Sequence, residues 1–215
     1  MGELKTMEIS MYIDKYKNVR YNFFKWRFEL DFVYKISLAL SFALLTGLLA
    51  QFRFYLPGTP VPVTGQVFGV ILAGLILGKW GGVSQIIYVG IGAAGIPWFA
   101  GFNAGFAYLL GPTCGYLIGF ILAAFFIGFI VDRYVNLRNY KGMLLLMLFS
   151  TFVLIYIPGL VYFYFWSGST IGFMELIMMC ILPFIAADII KAIIAATIAT
   201  AITPKKSFGH EVDRV

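Results

Sequence analysis

Charge is what this sequence has least of. Charged residues make up 12% of the chain and 61% of its 215 residues are hydrophobic, whereas about a quarter of a soluble domain is charged. One soluble core cannot hide that much apolar surface. Long polar linkers are also missing, so the sequence divides into one membrane domain, residues 32–203, with a tail at each end, residues 1–31 and 204–215. Cysteine is scarce. Cys114 and Cys180 lie in or beside apolar runs, which argues against a disulfide framework, and neither has ligand-type neighbours, so no metal site is expected. The single histidine, His210, falls in the polar C-terminal tail. No glycine-rich phosphate loop ending in lysine occurs, and no Ser/His or Cys/His pair shares an apolar run. Catalysis, a resident cofactor and ATP hydrolysis by this chain are therefore not expected. Residues 1–29 lack the short apolar core and small-residue cleavage site of a secretory signal. Their mixture of aromatic and basic residues suits either a helix on the membrane surface or a solvated tail.

A membrane helix needs about 20 mostly apolar residues to cross about 30 Å of hydrocarbon. Four segments qualify, residues 32–50, 113–131, 142–165 and 175–203. Between the first two, residues 63–97 are apolar but interrupted by Lys79-Trp80-Gly81-Gly82. That predicts a hairpin of two short helices turning at the Gly-Gly pair. The expected fold is an all-α integral membrane protein with six transmembrane helices, the second and third short. The net charge of +6 is spread along the edges of apolar runs and forms no aromatic-interleaved patch, so nucleic acid is not an expected partner. Topology accounts for the charge instead. With both termini cytoplasmic, 14 of the 16 Lys and Arg residues fall on the inner side, as the positive-inside rule requires. Arg53 lies outside and Lys191 falls within a span.

Two outer loops stand apart in composition. The first, Leu56-Pro57-Gly58-Thr59-Pro60-Val61-Pro62-Val63, has three prolines and predicts a stiff extended strap. The second runs from Gly95 to Gly105 and is apolar yet glycine-rich, suited to approaching a ligand closely.

Asp188 and Lys191 are the acid and base deep within a membrane run, where a charge costs about 2.5–3.5 kcal/mol on insertion scales. Their spacing of three puts them on one side of the last helix. Two readings follow, a salt bridge that docks the helix or a polar site for an amphiphilic ligand. Pro183, five residues upstream, predicts a kink above the pair. Asn103 carries two donors and one acceptor suited to an amide or urea, though an Asn in a loop also serves as a turn residue. Gln66, after the strap, has the same two readings. Gly111, Gly115, Gly119 and Ala123 recur every four residues as a packing ridge. Ala39, Ala43 and Gly47 form a comparable ridge on the first helix, either for packing within the bundle or for docking another subunit.

Four stretches carry a family resemblance: LPGTPVPVTGQ (residues 56–66), GVILAGLILG (69–78), GIPWFAGFNAGFAYLLGPTCGYLIGF (95–120) and PFIAADIIKA (183–192). Together they resemble BioY, the biotin-binding S component of energy-coupling-factor transporters, over about residues 33–203. The resemblance implies a multi-pass protein of the cell membrane that binds biotin from outside. It also implies as partners a transmembrane coupling protein and paired cytoplasmic ATPases, which would hydrolyse the ATP. By position, Asn103 matches the family's loop asparagine, and Asp188 and Lys191 match the acid and base of its Pro-Gly-Asp-Leu-Leu-Lys motif. Lys191 is then expected to take the valerate carboxylate, and Asp188 with Asn103 the ureido ring. Trp98, Phe99, Tyr108 and Tyr116 are candidate walls. The ridge of Ala39 and Ala43 corresponds to the coupling-protein contact. Three positions depart from the pattern. Leu117 stands where some relatives have arginine, Phe102 and Ala104 replace glycines beside Asn103, and Ala187 replaces the glycine before the aspartate. The alternatives are an S component for another small vitamin-like solute, a gradient-driven solitary carrier, and an intramembrane enzyme using Asp188.

Overall fold

The computed structural model describes residues 2–207, 209 and 211–213, with side chains from Met7 onward. His210 and Arg214 lie outside the described residues, as does the Lys5 side chain. Helices dominate the chain in the order α1 (Gly2–Glu29), α2 (Phe32–Gln51), α3 (Gln66–Leu77), α4 (Lys79–Ala93), α5 (Phe106–Leu109), α6 (Cys114–Arg133), α7 (Tyr140–Phe149), α8 (Tyr156–Trp166), α9 (Phe173–Cys180) and α10 (Leu182–Ile202). A π-helical segment, Ser150–Ile155, joins α7 to α8 without a break. Among the described residues four stretches are long and apolar enough to cross a membrane: Phe32–Gln51, Cys114–Arg133, Tyr140–Trp166 and Leu182–Ile202. The first three coincide with long runs of the sequence, whereas the fourth expected run, 175–203, is divided at Ile181 into α9 and α10. The short pair is α3, of 12 residues, and α4, of 15.

α6 is the central element, packing against α3, α4, the π-helical segment and α8. Small residues make this approach possible. A Cβ at Gly119 would stand 2.6 Å from the Ile155 Cα, and one at Gly115 would collide with the Pro158 carbonyl. The expected ridge thus packs at Gly115, Gly119 and Ala123, while Gly111 lies before the helix begins. Pro158 also bears on the π-helical segment. A proline has no N–H for the carbonyl four residues back and its ring crowds that carbonyl. Widening the helix just upstream relieves the conflict.

Three local expectations are corrected. The Gly-Gly pair is not the turn of the helical hairpin. The chain reverses at Gly78, at φ 62°, and Gly81 and Gly82 lie inside α4. There a Cβ at Gly81 would meet the Ala73 carbonyl and one at Gly82 the Phe125 ring. The proline strap is not simply extended either. Thr59 N–H donates to Leu56 C=O at 3.4 Å, with Pro57 and Gly58 (φ 83°) between, as a type II turn requires. Two-residue strands flank this loop, β1 (Arg53–Phe54) antiparallel to β2 (Val63–Thr64), pairing Arg53 with Thr64. Pro183 does not kink a continuous helix. The helix ends at Cys180 and restarts at Leu182, with the proline in the first turn of α10, where its missing N–H costs nothing.

The segment before Phe32 forms α1, and its C-terminal part packs on the bundle. Phe24 is fully buried within the core. Arg27 is buried as well, bonded to the Leu75 and Ile76 carbonyls at 3.3 and 3.0 Å and paired with Asp132. Nearby, Arg138 pairs with Glu211 at 3.0 Å, both almost without exposure. These pairs close one end of the bundle.

Candidate substrate cavity

A cavity lies between the β1–β2 loop, the 95–105 loop and helices α3, α6, α8 and α10. Its floor carries the charges. Asp188, 3% exposed, receives Lys191 Nζ at 2.6 Å across one turn of α10. Lys191 Nζ also donates to the Thr64 carbonyl at 2.6 Å, tying the helix to β2. The other Asp188 oxygen accepts the Tyr156 hydroxyl at 2.7 Å. Both carboxylate oxygens and the ammonium thereby have partners, as burial of charge demands, with acceptor and donor capacity left over.

Aromatic rings form the walls. Tyr116, Tyr156 and Phe184 meet edge to face with centroids 6.4–6.5 Å apart. Tyr116 donates its hydroxyl to the Cys180 carbonyl at 2.8 Å, satisfying an acceptor that the break between α9 and α10 leaves free. On the other side Phe99 stacks on Tyr108 at 5.2 Å. Leu117 and Phe120 complete an apolar wall on α6. Gln66, 6% exposed, lines the cavity from α3 and holds Tyr88 Oη at 2.8 Å.

The roof is a folded loop. Gln51 donates to the Trp98 and Phe99 carbonyls at 3.2 and 3.0 Å and accepts from the Gly101 and Phe102 amides at 3.2 and 3.0 Å. Phe102 adopts φ 59°, a left-handed conformation that a pinned turn can impose. Asn103 donates to the Ala100 carbonyl at 2.7 Å. Tyr108 sits under this loop. Burial pushes its phenol above the ordinary value, and Arg53 opposes that. The cavity's free volume is about 50 Å³, far below the several hundred of a typical ligand site. Admitting an organic solute requires the roof to move.

The cavity unites Asp188, Lys191, Gln66, Tyr108, Tyr116 and Phe99. Asn103 does not line it. Its side chain serves the turn, one residue pair away from the cavity-lining Ala100 backbone. Trp98 does not line it either. Its indole donates to the Tyr88 carbonyl at 2.9 Å and packs on the Tyr88 ring, supporting the wall from behind. Ala39 and Ala43 have no exposed surface, because α2 packs that ridge against α3 and α4. In the chain by itself this ridge packs within the bundle. Tyr156, Thr64 and Phe184 are cavity residues that sequence reasoning missed. Phe184 adjoins the Pro183 signal, and Tyr156 sits in a long span where a hydroxyl needs a partner.

A polar pair beneath a folded loop, inside a bundle of apolar helices, defines a multi-pass membrane protein built to hold a small solute. The family model described as the BioY family matches residues 19–207, and the chain belongs to that family. A relative from Methanothermobacter thermautotrophicus, named "Probable biotin transporter BioY", is 52% identical over 147 residues, covering 66% of this chain and 94% of its own. The Biotin transporter BioY of Thermotoga maritima is 38% identical, over 67% of this chain and 82% of its own. Among solved structures, the S-component for biotin from an ECF-type ABC transporter matches with a TM-score of 0.71 at 26% identity. It covers 78% of this chain and 89% of that one. Family membership makes this a transport protein and not an enzyme.

Proposed function

We propose that this chain binds biotin from the outer face of the cell membrane and works as the S component of an ECF-type transporter. The observation that carries this reading is the Asp188–Lys191 pair under the 95–105 loop, in a chain of the BioY family. A ureido ring offers two N–H groups and one carbonyl, which a carboxylate and an amide can pair with. Asp188 accepts a ureido N–H, Lys191 held against it donates to the ureido oxygen, and Asn103 reaches the ring once the roof closes on the ligand. The thiophane ring and alkyl chain lie against Tyr116, Phe184, Tyr108 and Phe99.

The proposal extends to the rest of the fold. Residues 32–203 form six membrane spans, α3 and α4 being short spans whose ends meet protein rather than lipid. Residues 1–31 and 204–215 lie on the cytoplasmic side. Its sequence has no glycine-rich phosphate loop ending in lysine, and in this reading the chain relies on a transmembrane coupling protein and paired cytoplasmic ATPases to drive uptake.

Isothermal titration of biotin-depleted protein in lipid nanodiscs tests the reading. Saturable one-to-one binding of biotin is expected, and each of Asp188→Asn and Lys191→Ala should weaken it by at least about tenfold, the scale of one charge-assisted hydrogen bond. No heat with the parent protein, or unchanged affinity in both variants, overturns it.

A further inference from the structure

The charged side chains lining the cavity are Asp188 and Lys191, and at 2.6 Å they cancel one another. The site is therefore electrically neutral before any ligand enters. A ligand carboxylate brings one further negative charge, and an uncompensated buried charge is costly. Leu117 and Phe120 on the facing helix offer it nothing. The compensating cation must come from beside the lining.

Arg53 is the cation found there. It lies in β1, opposite Thr64 across the ribbon, and Thr64 is the residue whose carbonyl receives Lys191. Its guanidinium rests on the roof. A Cβ at Gly101 would collide with it, and Gly101 directly follows the cavity-lining Ala100. It also acts electrostatically on the phenol of Tyr108, a second lining residue. Its own contacts are weak, a 3.3 Å bond to the Tyr55 hydroxyl and a 5.7 Å approach to that ring. Among the described residues no carboxylate pairs with it, and it is exposed. A fixed fork of donors lying against the roof matches the two oxygens of a carboxylate.

We infer that Arg53 recognises the ligand carboxylate at the cavity mouth, supplying the positive charge that the neutral Asp188–Lys191 floor lacks. The inference rests on the biotin reading, since it assigns the acid end of that ligand. Arg53 then sets specificity for acids over their neutral derivatives, and the ureido end is held independently below.

The test compares biotin with biotinamide, whose tail is uncharged, by titration against the parent protein, Arg53→Gln and Arg53→Lys. Arg53→Gln should weaken biotin by about tenfold, as expected for one charge-assisted contact, while biotinamide affinity stays within about twofold of the parent. Arg53→Lys should recover part of the biotin affinity. Unchanged biotinamide binding reports an intact fold. Equal weakening of both ligands would show that Arg53 only braces the loop, and unchanged biotin affinity would remove its role; either overturns the inference. Failure of the parent to bind biotin is a different result, which defeats the biotin reading itself.

Discussion

At the scale of single residues, the Tyr156 hydroxyl is the informative group. It donates to the Asp188 oxygen that Lys191 does not hold, so it fixes the carboxylate's rotation and leaves its remaining lone pairs directed at the cavity. A hydrogen bond to a charged acceptor contributes about 1.5–3 kcal/mol. Tyr156→Phe keeps the ring that packs against Tyr116 and Phe184 and removes only that bond. Biotin affinity measured by titration should fall about tenfold with the thermal unfolding midpoint little changed. Affinity equal to the parent would mean that Lys191 alone orients Asp188. The acid and base themselves were legible in the sequence because charge inside an apolar run is costly and therefore conspicuous. Tyr156 was not, because tyrosines are common in this chain and its facing depends on a helical phase set by the π-helical segment. Asn103 shows an ambiguity of the opposite kind. Its chemistry suited a urea, yet its Ala100 bond belongs to a turn that spacing alone cannot separate from a ligand contact.

At the scale of elements, small residues carried more meaning than could be assigned to them in advance. Recurrence at every fourth position identifies a ridge, but which neighbour it meets depends on tertiary packing. On α6 the ridge receives Ile155 and Pro158, as a packing motif should. On α2 the ridge also turns inward, leaving Leu40, Leu44 and Leu48 as the exposed face, each about half exposed. A bulky side chain at Ala39 has no space, and overpacking costs about 1–3 kcal/mol or more. Ala39→Trp should therefore abolish biotin binding by the purified chain together with uptake, whereas Leu40→Trp, on the exposed face, should keep binding. Retained binding in Ala39→Trp with uptake lost would return the ridge to a docking role. Gly81 and Gly82 follow the same logic. Adjacent glycines suggest a turn, but here they permit α4 to lie on α3 and α6, and the turn passes to Gly78, the glycine that adopts positive φ.

At the scale of the whole molecule, the hydrophobic runs gave the first three long helices to within about two residues, since hydrocarbon thickness imposes one length on them, while the last run, 175–203, is divided at Ile181. The proposed orientation rests on a different force, the retention of Lys and Arg on the cytoplasmic side, and it decides which side of the membrane the cavity's roof faces. Arg27 and Arg138 show that some of those charges are also structural, buried against Asp132 and Glu211 at one end of the bundle. The connection after α8 and the connection after α6 should therefore face opposite sides of the membrane. Ser169 lies in the first and Asn136 in the second, both exposed. In a background with Cys114 and Cys180, both buried, replaced by alanine, Ser169→Cys should react with a membrane-impermeant maleimide in intact cells. Asn136→Cys should react only after the membrane is opened. The reverse pattern would place the roof and its Arg53 on the cytoplasmic side, and capture of an external solute by this cavity would then have no physical route.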